Sequence, residues 1–452
     1  MAAAPEERVT RGHWRMVLTA GLGFFTDAYD LFIIGTVTTI LTPLWHLSTA
    51  DLMWLNSTSL LAAVVGSVFF GRLADRLGRR AMALAESLIL AAAALASALS
   101  TSFAVLVALR AVMGVAIGGD YSTSSIIASE FSTTRSRGRL IATVFAMQGV
   151  GLVLGPLYAA LLLVLGVPLD TAWRLMLGFG VVPALVVAYL RYTMPETPRF
   201  LAGVRGDAEA ARQSLSAVAG PDTLAAPPAR PVRARLSARP FLTRLVGTAG
   251  AWFLMDIAFY GNGVSSSLIL KALEPHATLL HTILTSALIF LLAALPGYGV
   301  AALAIDHMGR KRIQVMGFVI MALAYASIWL VPAVLAHTVI FLVIYAVSYF
   351  FIEFGPNTTT FVYPAEVFPV NVRATGNGIS AATGKFGAFV GAFLFPLVLT
   401  RLHISGLMGL LALVAVGGAI LTLVCLPEPK GLALEVASGE HLLDESGHVV
   451  AG

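Results

Sequence analysis

Charge and cysteine are both scarce in this sequence. Only 12% of its 452 residues are charged, 58% are hydrophobic and the mean hydropathy is +0.86, whereas a soluble protein has about 25% charged residues. The single cysteine, Cys425, excludes an intramolecular disulfide, and no cysteine or histidine cluster has the spacing of zinc ligands. The G-x-x-x-x-G-K-S/T loop that binds ATP is also absent. The composition predicts an integral membrane protein that uses no metal, nucleotide or other cofactor.

Nucleic-acid binding and catalysis also lack their usual signatures. The pI is near 9.4, but the basic residues lie in short loops and form no patch with aromatic platforms, so we expect no nucleic-acid partner. No nucleophile, base and orienting group occur together, so we expect no enzyme. The N-terminus enters its first apolar segment without a small-residue cleavage site, which predicts that the first helix is retained.

Twelve apolar stretches of about 20 residues are predicted to cross a lipid bilayer as helices. They lie at 15–43, 52–74, 81–101, 103–130, 139–166, 172–194, 243–272, 279–304, 312–334, 336–363, 374–401 and 405–426. We therefore predict an all-α membrane protein with six-helix bundles at 1–194 and 242–427, joined by a proline- and arginine-rich linker at 195–241 and followed by a tail at 428–452. Most lysines and arginines lie on the linker's side, so the positive-inside rule places the linker and both termini in the cytoplasm of a cell-membrane protein.

The two predicted bundles repeat one another in sequence. The repeated motifs are Asp75-Arg-Leu-Gly78-Arg79-Arg80 with Asp306-His-Met-Gly309-Arg310-Lys311, Glu130 and Arg137 with Glu366 and Arg373, and Pro195-Glu196 with Pro427-Glu428. Their nearly constant spacing indicates a duplicated six-helix unit with pseudo-symmetric halves.

Charged side chains also lie inside the predicted spans, where each costs several kcal/mol unless it is paired or hydrated. They are Asp27, Asp30, Arg110, Asp120, Asp256 and Lys385. Because they are spread over distant segments, they predict a polar cavity between helices that binds an anion and changes its own protonation. The chain is therefore predicted to be a membrane transporter.

Hydrogen-bond donors from both halves surround this predicted cavity. The candidate substrate-binding residues are Tyr121, Gln148, Trp252, Asp256, Tyr260 and Lys385. Three of them follow one another at intervals of four along span seven and so form one stripe. A carboxylate such as Asp256 accepts a hydrogen bond from an anion that keeps an O–H, which favours phosphate over sulfate. Simple helix packing of the stripe, and a structural Asp256–Lys385 pair, are the alternatives.

Five stretches of the sequence resemble known transporter motifs. Gly71-Arg-Leu-Ala-Asp75-Arg-Leu-Gly78-Arg79-Arg80 resembles the signature loop of the major facilitator superfamily. The stretches that resemble the phosphate:proton symporter family of fungi, plants and some bacteria are Gly23-Phe-Phe-Thr-Asp27-Ala-Tyr-Asp30, Gly118-Gly119-Asp120-Tyr121, Trp252-Phe-Leu-Met-Asp256-Ile-Ala-Phe-Tyr260-Gly261 and Gly376-Asn-Gly-Ile-Ser-Ala-Ala-Thr-Gly384-Lys385. The resemblance implies the major facilitator fold and import of inorganic phosphate with protons by alternating access of the two halves.

The sequence departs from that family at three places. They are Ser122-Thr123 where the family commonly has Pro-Leu, Asn262-Gly263 where it has Gln-Asn, and Asn377 where it has His. Residues 195–199, Pro-Glu-Thr-Pro-Arg, also resemble a sugar-porter signature. A porter for a sugar or an organic anion is therefore the first alternative, and a non-transporting phosphate receptor is the second.

Proton coupling requires a carboxyl group whose surroundings change as the cavity opens and closes. Asp27 and Asp120 are the leading candidates, with Asp30 and Glu86 as relay members; the resemblance implies the same role for Asp27, Glu86 and Asp120. Arg110 is predicted to hold or release the proton by approaching one of these acids. A snorkelling Arg110 side chain at the end of its span is the alternative.

The repeated charges at the helix ends are predicted to form cytoplasmic ion-pair networks that hold one access state and break in the other. The candidate gating residues are Asp75, Arg79, Glu130, Arg137, Asp306, Arg310, Glu366 and Arg373. Membrane orientation and solvation are the alternative roles for these charges.

Overall fold

A computed structural model describes residues 10–130, 137–203, 205–219, 234–432, 434–439 and 442. Over these residues the chain is helical and contains no strand. Eleven helices are long and apolar enough to cross a membrane. The last of them, Thr375–Cys425, has 51 residues, although about 20 suffice for one crossing. Its residue His403 has left-handed backbone angles of φ 56° and ψ −175°, which divide it into two arms and give the predicted twelve crossings.

The membrane helices fall into two sets of six along the chain. The first set is α1 Arg11–Trp45, α2 Thr49–Leu77, α3 Arg79–Ala98, α4 Phe103–Glu130, α5 Arg137–Val164 and α6 Leu169–Thr193. The second set is α7 Arg239–Val264, α8 Leu279–Met308, α9 Arg310–Leu330, α10 Thr338–Val367, α11 at 370–402 and α12 at 404–425. We call the end of the molecule where α6 ends and α7 begins the linker side, and the opposite end the far side.

The predicted linker contains two short helices, Pro198–Gly203 and Ala208–Ala219. The second packs against the start of α1, where the Thr10 hydroxyl donates to the carbonyl of Val218 at 2.6 Å. The remainder of the linker at 220–233 lies outside the described residues, as does most of the predicted tail beyond the helix Leu434–Ala437.

The duplicated loops have the same local structure in both halves. Gly78 and Gly309 precede α3 and α9 with φ angles of 110° and 94°, a conformation that favours glycine because a side chain is strained there. Glu196 and Glu428 accept hydrogen bonds from the first backbone amides of these helices, each at 3.0 Å. Each glutamate therefore caps a helix N-terminus, and the two repeated Pro-Glu motifs have equivalent positions.

Glycines allow close helix pairs in both halves. A Cβ on Gly151 of α5 would lie 2.4 Å from the carbonyl oxygen of Phe25 on α1, and one on Gly387 of α11 would lie 2.3 Å from that of Phe253 on α7. These equivalent contacts hold the helices that carry the intramembrane charges close together.

The surface of the helices is apolar and the interior is partly polar. Leu292, Val339 and Val424 are each at least 70% exposed, which is unfavourable in water and suits contact with lipid tails. The buried residues include aspartate, glutamate, arginine and lysine side chains. This distribution is the one expected of a transporter with a site between its helices.

The two halves meet through α2 with α11 and through α5 with α8. On the linker side, the Arg139 amide at the start of α5 donates to the Asp306 carboxylate at the end of α8, at 3.1 Å. Toward the far side, α1 and α7 approach so closely that a Cβ on Gly35 would lie 2.1 Å from the carbonyl oxygen of Val264. The region between these contacts is enclosed from both ends.

Candidate functional site

Lys385 on α11 is the charged centre of the enclosed region. Its Nζ lies 3.2 Å from Asp256 Oδ2 and 2.9 Å from the Tyr260 hydroxyl, both on α7. The same ammonium lies over the rings of Tyr121 and Tyr260, at 3.9 and 4.2 Å from their centroids, which are favourable cation–π distances. Lys385 and Asp256 are each only 1% exposed, so this is a fully buried ion pair.

The first half contributes two polar side chains to the same point. The Tyr121 hydroxyl on α4 lies 2.7 Å from the Tyr260 hydroxyl, and the Gln148 amide on α5 donates to Tyr260 at 3.5 Å. Gln148 Oε1 and Asp256 Oδ1 are buried without a hydrogen-bond partner. The structure therefore brings groups predicted from four different spans into one cluster that crosses the boundary between the halves.

Trp252 completes this cluster one turn of α7 before Asp256. Its indole packs against Gly384, the neighbour of Lys385, where a Cβ would lie 2.5 Å from Trp252 Cδ1. Its other side faces Phe361 of α10 at a centroid distance of 6.2 Å. All six predicted substrate-binding residues thus lie together, and we call them the central site.

A second buried cluster lies in the first half between α1, α3, α4 and α6. Arg191 Nη2 donates to Asp120 Oδ1 at 2.5 Å and to the Ser124 hydroxyl at 3.0 Å. Its Nη1 donates to the Ser87 hydroxyl and the Ala83 carbonyl, each at 3.0 Å. The guanidinium is thereby held by three helices around one carboxylate.

Asp27 and Glu86 lie beside this pair. Both oxygens of Asp27 and one oxygen of Glu86 are buried without a hydrogen-bond partner, while Glu86 Oε2 accepts from the Thr123 hydroxyl at 2.8 Å. Asp27 interacts electrostatically with both Asp120 and Arg191. A cavity lined by all four residues has room for about one water molecule. We call Asp27, Glu86, Asp120 and Arg191 the acid cluster; the cavity between them is too small for an oxyanion.

Arg110 lies away from Asp27 and Asp120. Its Nη1 donates to the backbone carbonyl of Asp30 at 2.8 Å, and its side chain is fully buried, so it does not snorkel. The Asp30 carboxylate faces Gly180 of α6, where a Cβ would lie 2.5 Å from Oδ1. The five predicted proton-coupling residues therefore form two groups, the acid cluster and the Asp30–Arg110 site, and Asp30 also interacts electrostatically with Asp27 of the cluster.

Three of the four predicted gating residues of the second half, Asp306, Arg310 and Glu366, form one network. Arg310 binds Glu366 through two hydrogen bonds at 2.8 and 2.9 Å and Asp306 through an ion pair at 2.9 Å. Arg373 donates to the Phe368 carbonyl at 3.0 Å. The network also touches the first half, because a Cβ on Gly138 of α5 would lie 2.2 Å from Arg310 Nη2.

The equivalent region of the first half is only partly described. Arg79 donates from Nη1 to the Ala74 carbonyl at 3.2 Å and lies over the Phe200 ring at 5.2 Å. The side chains of Asp75, Glu130 and Arg137 lie outside the described residues.

Arg191 and Glu353 are buried charged residues that the sequence analysis missed. Arg191 lies near the linker-side end of α6, where an arginine is ordinary by the positive-inside rule, and no local pattern links it to Asp120. Glu353 is fully buried at the start of a π-helical turn, Glu353–Asn357, inside α10. The signal that could have found Glu353 is its position inside the predicted span at 336–363, the same signal that singled out Asp256 and Lys385. π-turns inside helices also often occur at functional sites.

Within the described residues, no group of three or more histidine, cysteine, aspartate or glutamate side chains could hold a metal ion.

Comparison with known proteins identifies a family and a fold. Residues 16–439 match the family model described as "Sugar (and other) transporter". The chain is 35% identical to the probable inorganic phosphate transporter 1-6 of Arabidopsis thaliana over 95% of this chain and 94% of that protein. It is 33% identical to the repressible high-affinity phosphate permease of Neurospora crassa, over 99% of this chain and 90% of that protein.

Solved structures of a more distant protein share the fold. The proton:xylose symporter XylE, of the major facilitator superfamily, bound to 6-bromo-6-deoxy-D-glucose, superposes with a TM-score of 0.78 at 19% identity, covering 95% of this chain and 98% of that one. The inward open conformation of the xylose transporter XylE from E. coli gives a TM-score of 0.71 at 18% identity, over 95% and 99% of the two chains.

Proposed function

Because the chain belongs to the sugar (and other) transporter family of the major facilitator superfamily, we propose that it imports inorganic phosphate together with protons. The observation that carries this proposal is the central site, where Lys385 is buried between Asp256, Tyr260 and Tyr121. The names of the Arabidopsis and Neurospora relatives, which match nearly the whole chain, support the same substrate.

An oxyanion suits this site because it replaces the partner of Lys385. The ammonium loses favourable energy when it leaves Asp256 in a buried environment, and an incoming phosphate restores that energy through its own negative charge. A neutral sugar offers no such replacement. Phosphate near neutral pH also keeps an O–H that donates to the freed Asp256 carboxylate, whereas sulfate has none. The charge of the site therefore favours phosphate over both sugar and sulfate.

The acid cluster is proposed to bind the transported protons. Three buried carboxyl groups around the single guanidinium of Arg191 are costly when all are ionised. Access to water at one end of the molecule changes that cost, so that Asp27, Glu86 and Asp120 take up a proton on one side and release it on the other. The Asp30–Arg110 site is proposed to relay protons on the far side of this cluster.

Alternating access is proposed to come from rocking of 1–194 against 242–427 about the central site, with 195–241 as the linker and 428–452 as the tail. The contacts of Arg139 and Gly138 with the Asp306–Arg310–Glu366 network are proposed to close the linker side. The excess of basic residues on that side supports a cytoplasmic location for the linker and both termini.

Uptake of radiolabelled phosphate into proteoliposomes tests the proposal. We expect an inward proton gradient to drive accumulation, an uncoupler to abolish it, and uptake to fall as the outside pH rises because the proton is a co-substrate. Arsenate is expected to compete strongly, and sulfate and xylose weakly. Phosphate accumulation that is unchanged by the uncoupler would contradict proton coupling.

Site variants test the central residues separately. Lys385→Ala and Asp256→Ala are each expected to abolish accumulation, while Lys271→Ala, whose ammonium contacts only the Ala277 carbonyl in the described region on the far side, serves as the control. Wild-type rates in both central variants would refute the site. Competition by xylose instead of arsenate would favour a sugar porter, and phosphate binding without flux would favour a receptor.

A further inference from the structure

A polar stripe runs along the buried face of α10. Tyr345, Tyr349, Glu353 and Asn357 follow one another at intervals of four, so they lie on one face of the helix, and each is at most 1% exposed. Tyr345 lies in the half of α10 toward the far side, whereas Glu353 lies at the middle of the helix. The stripe thus leads from the far side toward the level of the central site.

Glu353 is a buried acid without a cation. Its Oε2 accepts from the Asn357 amide at 2.5 Å, and its Oε1 has no hydrogen-bond partner among the described residues. None of the ion pairs formed by the described residues includes it. A carboxylate buried without a compensating cation is costly, whereas the neutral acid can stay there and use the free oxygen to hold a proton.

Polar groups continue from Glu353 in two directions, toward the first half of the protein and toward the far side. Toward the first half, the Asn357 amide also donates to the Tyr298 hydroxyl on α8 at 2.7 Å, and the Tyr298 ring packs against Gly149 of α5, next to Gln148 of the central site. These contacts connect the acid to the boundary between the two halves.

Toward the far side, hydroxyl and amide groups continue the stripe. Tyr345 donates to Asn262 Oδ1 at 2.7 Å, and the Asn262 amide donates to the Tyr325 hydroxyl at 3.2 Å. Tyr349 lies between these groups and Glu353. Its ring centroid is 5.2 Å from that of Tyr345, and its buried hydroxyl interacts with Tyr345 and Glu353.

We propose that Glu353 carries a transported proton through the second half of the protein, and that the proton reaches it from the far side along Tyr345 and Tyr349. This inference rests on the proposed function. An O–H bond forms at Glu353 Oε1 when the far side is open and breaks after the linker side has opened. Each tyrosine that passes a proton on receives another, so Glu353 alone changes charge along the path.

The groups around Glu353 connect its proton to phosphate. The titratable or charged groups that face it are Tyr298 on α8, Asp256 on α7, Tyr325 on α9 and Tyr349 on α10. Asp256 is the acid of the central site, and its interaction with an ionised Glu353 is repulsive. Neutral Glu353 therefore favours an anion at Lys385, which links the two binding events.

The Glu353→Gln variant tests this inference in proteoliposomes, because glutamine keeps an acceptor for Asn357 and cannot bind a transported proton. Phosphate and proton uptake are measured together, with Glu274→Gln at the partly exposed far side as the control. We expect Glu353→Gln to transport about one proton fewer per phosphate and to show a weaker dependence of uptake on pH. A wild-type proton-to-phosphate ratio and pH profile in Glu353→Gln would overturn the inference.

Two further variants keep the test decisive if Glu353→Gln does not fold. Tyr349→Phe removes one hydroxyl and keeps the ring with its packing against Tyr345, so we expect it to fold, to bind phosphate normally and to slow proton-driven uptake several-fold. Tyr158→Phe is its control. Unchanged proton-driven uptake in Tyr349→Phe would overturn the path. Wild-type protein that accumulates phosphate without any proton uptake would refute the proposed function instead.

Discussion

Replacing Lys385 with methionine measures what the buried ion pair of the central site contributes to stability. Methionine keeps an unbranched side chain of similar length and removes the ammonium, which lies 3.2 Å from Asp256 Oδ2. The variant leaves Asp256 buried without a cation. Its Oδ1 also lacks a hydrogen-bond partner among the described residues. The aspartate must then either remain charged in an apolar environment or take up a proton.

The expected loss of folding free energy follows from these two possible states of Asp256. Removing one partner of a buried ion pair costs about 3–5 kcal/mol of folding free energy. Keeping a carboxyl group of ordinary acidity protonated at pH 7 costs about 4 kcal/mol, a cost that falls by about 1.4 kcal/mol for each unit by which the pH is lowered. Both estimates agree, and they correspond to a fall in Tm on the order of 10 °C for a unit the size of one six-helix bundle.

Thermal unfolding of the purified protein in detergent measures this loss at about pH 7 and about pH 5. We expect the Tm of Lys385→Met to lie well below that of the wild type at the higher pH and close to it at the lower pH. Adding Asp256→Asn to the same chain should restore most of the Tm at both. Lys311→Met is the control, because its exposed ammonium binds only a backbone carbonyl, that of Leu423, among the described residues. A Tm of Lys385→Met that equals the wild-type value at the higher pH, or no recovery in the double variant, would refute the pairing argument.

Two further substitutions test positions that hold the buried groups in place. Gly384→Ala places a Cβ 2.5 Å from Trp252 Cδ1, so phosphate affinity measured by calorimetry should fall. The control Gly378→Ala on the same helix has open space and should bind phosphate as the wild type does. Equal affinities in the two variants would contradict the contact. Arg191→Gln leaves Asp120 without its cation and should reduce phosphate uptake about 10-fold or more. Arg191→Lys should recover part of that uptake. Uptake at the wild-type rate in Arg191→Gln would show that the guanidinium is not needed.

Local sequence patterns predicted the fold and singled out residues that lie together in the structure as the central site. Long apolar stretches predict membrane helices because the bilayer sets their length, and the repeated loops identify the duplication. The central residues could be found since a charge inside an apolar stretch is conspicuous by itself, as Lys385 and Asp256 show. Their spacing along α7 then determines which neighbours share the same face.

The partners of the acids could not be predicted in the same way. Arg191 reaches Asp120 only because α6 packs beside α3 and α4, a tertiary contact without a local signal. Arg110 was expected to approach one of the acids of the first half, and it lies beside Asp30, but the sequence did not indicate which acid it would reach. Glu353 lies inside the predicted span at 336–363, so the rule that singled out Lys385 and Asp256 applies to it as well. The backbone break at Gly355, with φ −98° and ψ −114°, which places this acid at a π-helical turn, has no such signal in the sequence.

The departures from the phosphate:proton symporter pattern have hydrogen-bond partners in the structure. Thr123 replaces part of a Pro-Leu pair and donates to Glu86 of the acid cluster at 2.8 Å. Asn262 replaces part of a Gln-Asn pair and binds both Tyr345 and Tyr325 beside the stripe on α10. Both substitutions therefore lie at proposed proton sites and outside the central site, which argues that they affect proton coupling more than the choice of anion.

The two halves balance buried charge in similar ways. Each half has a buried acid–base pair among its intramembrane charges, Arg191 with Asp120 in the first half and Lys385 with Asp256 in the second. Each pair also has further acids beside it, Asp27 and Glu86 in the first half and Glu353 in the second. In the proposed mechanism phosphate takes Lys385, so Asp256 loses its partner and the total negative charge near Glu353 rises. In an interior without water, protons compensate that charge at the lowest free-energy cost, because no mobile counter-ion can enter with the phosphate. Coupling between anion and proton then requires no contact between phosphate and the proton-carrying acids, since conservation of buried charge alone links their occupancies.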